Sequence, residues 1–114
     1  MGYTNYWHQY NDFTDDQWKQ IKEEYEYIKE VCANIIDDET ITTDEIVFNG
    51  KNENGHEAFL IKQNARPYGS EKYDGEDIHF SFCKTRMKPY DLAVWHMLTF
   101  INRINPSFSI SRDR

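Results

Sequence analysis

Between residues 78 and 104 the hydrophobic period changes once, and that change limits what the chain can build. Ile78, Phe80 and Phe82 alternate with His79, Ser81 and Cys83, which is the period of a strand with one apolar face. Leu92-Ala93-Val94-Trp95-His96-Met97-Leu98-Thr99-Phe100-Ile101 is then apolar nearly all round, which predicts a buried helix over residues 90–104. Between them lies a basic turn, Lys84-Thr85-Arg86-Met87-Lys88. Pro89 fits the first helical turn, where its missing N–H has no intrahelical partner. Asn105-Pro106 stops the helix, and Ser107-Phe108-Ser109-Ile110-Ser111 alternates as a last, edge strand. This strand–helix–strand unit is expected to run its strands in parallel.

Upstream, Thr14-Asp15-Asp16-Gln17 has the capping-box pattern, and its acids suit the positive end of a helix dipole. Trp18, Ile21, Tyr25, Ile28, Cys32 and Ile35 follow at helical spacing, so an amphipathic helix is expected over residues 15–36. Asp37-Asp38-Glu39 would then sit against the negative end of that dipole. Residues 45–48 and 56–62 read as a hairpin with a long tip carrying Asn49-Gly50 and Asn54-Gly55. Residues 1–13 read as an aromatic arm, within which Tyr6-Trp7-His8 suits either a short strand or an ordered arm, and residues 63–77 read as a long surface loop. The expected fold is one α+β domain over residues 1–114. A sheet of about four strands (the hairpin plus the strand–helix–strand unit) carries the buried second helix, with the amphipathic N-terminal helix beside it.

The formal charge of −7 is unevenly placed. Residues 1–40 hold ten acids against three lysines, and the remainder holds ten of each sign. That argues against direct binding to nucleic acid, which draws its affinity from basic residues. No run approaches the ~18 apolar residues of a membrane span. The two cysteines, with no signal-peptide pattern ahead of them, suit reduced thiols in a cytosol.

Motifs for chemistry are few. His79 and Cys83 lie about 13 Å apart along a strand, too far for a nucleophilic dyad. No zinc spacing, Gly-rich phosphate loop or Gly-x-Ser-x-Gly occurs, and no cofactor or metal is expected. The basic turn is the sharpest feature, because it precedes a helix N-terminus, where free N–H groups favour an anion. The same residues also suit a solvated turn, or pairing with the acidic first helix.

Several of these stretches resemble a family of short bacteriophage and prophage proteins. Those chains begin Gly-Tyr-Thr-His-Tyr-Trp and carry Phe-Cys-Lys-Thr-x-x-Lys-Pro-Tyr-Asp before an apolar helix. The corresponding residues are Gly2-Tyr3-Thr4-Asn5-Tyr6-Trp7, Asp12-Phe13-Thr14, Phe48-Asn49-Gly50, His56-Glu57-Ala58-Phe59 and the stretch Phe82-Cys83-Lys84-Thr85-Arg86-Met87-Lys88-Pro89-Tyr90-Asp91. Asn5 stands where the pattern has His. The resemblance implies a bacterial cytosol and an accessory role against host defence.

The leading expectation is a non-catalytic protein that holds an anionic, nucleotide-like ligand at Lys84, Thr85, Arg86, Lys88, Tyr90 and Asp91, with Tyr3, Tyr6 and Trp7 stacking over it. The alternative is an acidic surface of Glu23, Glu26, Glu30, Asp37 and Asp38 that occupies a host protein's nucleic-acid site. The third is a small enzyme acting on a phosphorylated substrate, with His56 or Asp91 as base.

Overall fold

The computed structural model describes residues 4–65 and 79–113. In chain order the elements are β1 (Thr4–His8), α1 (Asp15–Val31), β2 (Ile36–Asp38), β3 (Glu45–Gly50), a 3-10 turn (Asn52–Asn54), β4 (Phe59–Lys62), β5 (Phe80–Lys84), α2 (Asp91–Ile104) and β6 (Ser109–Asp113). Tyr3, Ile78 and the expected loop from residue 66 onward lie outside the described residues.

Thr14 caps α1. The Gln17 N–H donates to Thr14 Oγ1 at 3.1 Å, and the Thr14 N–H donates to Gln17 Oε1 at 3.0 Å. Trp18, Ile21, Tyr25 and Ile28 form the buried stripe. The helix ends at Val31 rather than at residue 36, because Ile36 pairs with Gly50 as the start of β2. Asp37 and Asp38 follow it into that strand, which moves them away from the negative end of the helix dipole.

The expected single sheet is instead two antiparallel sheets of three strands, ordered β5-β1-β6 and β2-β3-β4. Two stretches left out of the expected sheet account for the difference. Residues 4–8, read as an arm, are the central strand of the first sheet, and residues 36–38 add a strand to the hairpin. β1 runs antiparallel to both neighbours, so β5 and β6 are parallel to each other with β1 between them. In the second sheet Ile46 faces Ile61 and Phe48 faces Phe59, all four buried.

A chain of rings joins the layers. Tyr25 of α1 stacks on Phe48 at 5.5 Å, Phe48 meets Phe59 at 5.1 Å, and Phe59 meets Trp7 of β1 at 5.2 Å. α2 packs on α1, β1 and β6 and buries Ala93, Val94, Met97, Leu98 and Ile101, while Leu92 stays exposed.

β5 turns its apolar face outward, against expectation. Phe80 and Phe82 are exposed, and Cys83 is fully buried. The register supplies the reason: Ser81 and Cys83 lie opposite Trp7 and Asn5, whose side chains face the core. With the Trp7 indole filling that layer, small residues suit the neighbouring strand.

Candidate functional site

The basic turn divides into two sets of side chains. Thr85, Tyr90 and Asp91 are buried. Asp91 Oδ1 accepts from Thr85 Oγ1 at 2.6 Å and from Asn5 Nδ2 at 2.8 Å, and Asp91 Oδ2 pairs with the Arg112 guanidinium. The Tyr90 hydroxyl donates to the Glu57 carbonyl at 2.6 Å. Lys84 and Arg86 point to solvent, and Lys88 Nζ donates to the Glu53 carbonyl at 3.2 Å.

The N–H groups expected to await an anion at the start of α2 are occupied. Those of Asp91, Leu92 and Ala93 donate to the carbonyls of Lys88, Pro89 and Tyr90. Any ligand at this turn therefore meets the side chains of Lys84 and Arg86 and not the helix end.

Arg86 and Met87 both adopt left-handed backbone, at φ 52 and φ 62, and the Lys88 N–H closes the turn on the Thr85 carbonyl at 3.0 Å. Neither residue is Gly or Asn, so each carries a conformational cost of about 1 kcal/mol. Met87→Gly is accordingly expected to raise stability by about 1 kcal/mol, since the Met87 side chain is 61% exposed. A rise in the urea midpoint at unchanged m-value checks this.

The strand before the turn builds a second surface. Tyr6 and His8 of β1 lie opposite Phe82 and Phe80 of β5, and Lys84 lies opposite Thr4. Alternation puts Tyr6, His8, Phe80, Phe82 and Lys84 on one outward face. Tyr6 stacks on Phe80 at 5.8 Å, His8 meets Phe80 at 5.1 Å, and Lys84 Nζ sits 5.8 Å from the Phe82 ring centroid. Tyr6 and Lys84 thus share this face, while Trp7 points to the opposite side.

Trp7 nevertheless lines a slot of about 370 Å³ between the edges of β4 and β5, together with Ala58, Leu60, Phe80, Ser81 and Phe82. Next to it along the chain the Glu57 N–H donates to the Lys84 carbonyl at 3.3 Å. On the other side Gln9 Nε2 donates to the Lys62 carbonyl at 3.0 Å. Sequence reasoning missed Phe80, Phe82 and Leu60 as surface residues. The signal was present in the small pair Ser81 and Cys83, which fits beneath a large ring on the adjacent strand better than two phenylalanines do.

The acidic residues are dispersed. Glu26 pairs with Lys29 at 2.9 Å, Asp37 with Lys51 at 3.9 Å, and Asp38 accepts from Tyr25 Oη at 2.6 Å, while Glu23 and Glu30 are exposed. Burial, helped by Asp38, pushes the Tyr25 phenol well above its ordinary range. Partial burial raises the Asp38 carboxyl, but hydrogen bonds from Tyr25 and Thr40 outweigh it and hold the group below its usual value.

Burial, with the Glu57 carboxylate nearby, pushes the Cys83 thiol up to about 12, so it is protonated at neutral pH and a poor nucleophile. His56 is exposed, and both oxygens of Asp91 are engaged as described. Among the described residues no group of three or more His, Cys, Asp or Glu side chains is placed to hold a metal ion, and no helix is long and apolar enough to cross a membrane. No protein-family model, curated protein or solved structure matches this chain.

Proposed function

We propose that the protein is a non-catalytic binder of a nucleotide-like anion, seated where the aromatic face of β5 meets the basic turn. The carrying observation is the shared outward face of Tyr6, Phe80 and Phe82 with the Lys84 ammonium over the last ring. Ring faces offer sequence-tolerant stacking to a planar base, and a lysine at their edge meets the phosphate. Arg86, two residues on and exposed, supplies a second cation. Thr85, Tyr90 and Asp91 hold the turn from inside. The setting proposed, from the resemblance to phage proteins, is the cytosol of an infected bacterium, where capture of such a ligand counters a host defence.

Calorimetry with the four ribonucleoside monophosphates and their cyclic forms tests this. Binding is expected, and Phe82→Ala and Lys84→Ala are each expected to weaken it about tenfold, a typical loss of one stacked ring or one charge-assisted contact. Absence of binding at millimolar ligand, or affinity unchanged in both variants, rejects the proposal.

A further inference from the structure

The slot beside the aromatic face has main-chain groups along both walls. The Gln9 N–H donates to the His79 carbonyl at 3.0 Å, which makes these opposed residues a hydrogen-bonded pair. By antiparallel alternation Trp7–Ser81 and Asn5–Cys83 are then the pairs that exchange bonds. The N–H and C=O of Phe80, Phe82 and Lys84 therefore point away from β1, toward β4. Those of Lys84 are taken, its N–H by Glu57 Oε1 at 2.7 Å and its carbonyl by the Glu57 N–H. Those of Phe80 and Phe82 have no partner among the described residues.

The same alternation, set by the bond from the Gln63 N–H to the Asp44 carbonyl, turns Leu60 toward the slot from the other side. The Glu57–Lys84 rung does not propagate along β4, because Phe59 and Ile61 direct their own groups to β3.

We infer that this slot takes the hydrogen-bonding edge of a nucleobase, read by the C=O of Phe80 and the N–H of Phe82. The inference rests on the nucleotide reading above and names the part of the ligand that enters here. A C=O at one residue and the N–H two residues on project from the same strand edge, one acceptor beside one donor. The Watson–Crick edge of a base offers the complementary donor beside an acceptor. Trp7, Leu60 and Phe82 supply the apolar walls such a planar group requires. The hydrogen bonds Glu57–Lys84 and Gln9–Lys62 already join the two sides beyond the slot, which suits a compact ring better than a through-running peptide strand. Lys84, at one end of the slot, keeps the phosphate outside.

The test uses ligand pairs that differ only in the edge donor. Adenosine monophosphate is compared with its 6-dimethylamino analogue, and uridine monophosphate with 3-methyluridine monophosphate. Loss of the donor is expected to weaken binding at least tenfold, and the Phe82 amide resonance is expected to move downfield with the unmodified ligand. Phe82→Pro removes the N–H without touching the β1 ladder, a substitution edge strands tolerate. It is expected to abolish the discrimination that Phe82→Ala, which keeps the N–H, retains. Equal binding of both members of each pair, with the Phe82 amide unmoved, overturns the inference and leaves the nucleotide reading intact. Failure of every nucleotide to bind overturns both. The ligand comparison needs no variant, so it decides even if Phe82→Pro does not fold.

Discussion

Asp91→Ala is expected to destabilise the protein by about 3–5 kcal/mol, the usual result of removing one partner from a buried ion pair. Asp91 is 6% exposed, and its carboxylate joins four segments of the chain. Thr85 of the turn and Asn5 of β1 donate to one oxygen, and Arg112 of β6 pairs with the other. Arg112 Nε also donates to Asn5 Oδ1 at 3.0 Å, and its guanidinium lies 4.6 Å from the Trp95 ring centroid. Alanine takes this carboxylate from the guanidinium and the acceptor from both Thr85 and Asn5. Asp91→Asn, which keeps the shape and loses the charge, is expected to fall between wild type and alanine. Urea unfolding of Asp91→Ala, Arg112→Ala and the double variant should give a coupling of more than about 1 kcal/mol. A loss below that in Asp91→Ala alone means the pair does not hold the turn to the sheet.

Gly50→Ala is the second large effect, at about 3 kcal/mol, and its cause is crowding. A Cβ on Gly50 would lie 2.2 Å from the Asn54 carbonyl oxygen and 2.9 Å from Tyr90 Cδ1. The first is backbone of the 3-10 turn and the second a fully buried ring. Relief therefore requires either the hairpin tip or the start of α2 to shift. The Tyr90 hydroxyl, bonded to the Glu57 carbonyl, would shift with its ring, so the damage reaches the Glu57–Lys84 contact. A fall in Tm of about 10 °C is expected by calorimetry. A fall of under about 3 °C means that the tip yields freely.

Local patterns announced local structure. Thr14 and Gln17 mark the start of α1 because a capping box is complete within four residues. The β3–β4 hairpin is likewise visible in alternation and turn residues, since its partners are neighbours in sequence. The division into two sheets was not legible. Whether residues 4–8 form an arm or a central strand depends on partners near residues 82 and 111, and no local period carries that information.

The same limit hid the face of β5. Alternation separates Phe80 and Phe82 from Ser81 and Cys83, but only Trp7 across the ladder decides which pair turns inward. At the basic turn, charge was legible and direction was not. Thr85 and Asp91 turn inward because Arg112 arrives from the far end of the domain.

The position of β1 between two parallel strands also governs when the first sheet can form. Its residues are synthesised before those of its partners, β5 and β6, which lie on either side of α2. Closing those long loops costs entropy before any ladder bond offsets it. The β2-β3-β4 meander has short separations and carries no such delay. A nascent chain that stops short of residue 109 can complete the meander and α1, but it holds β1 with one edge bare. The aromatic face and the slot need only β1 beside β5, whereas the Asp91 network is complete only once β6 brings Arg112 to the other edge of β1.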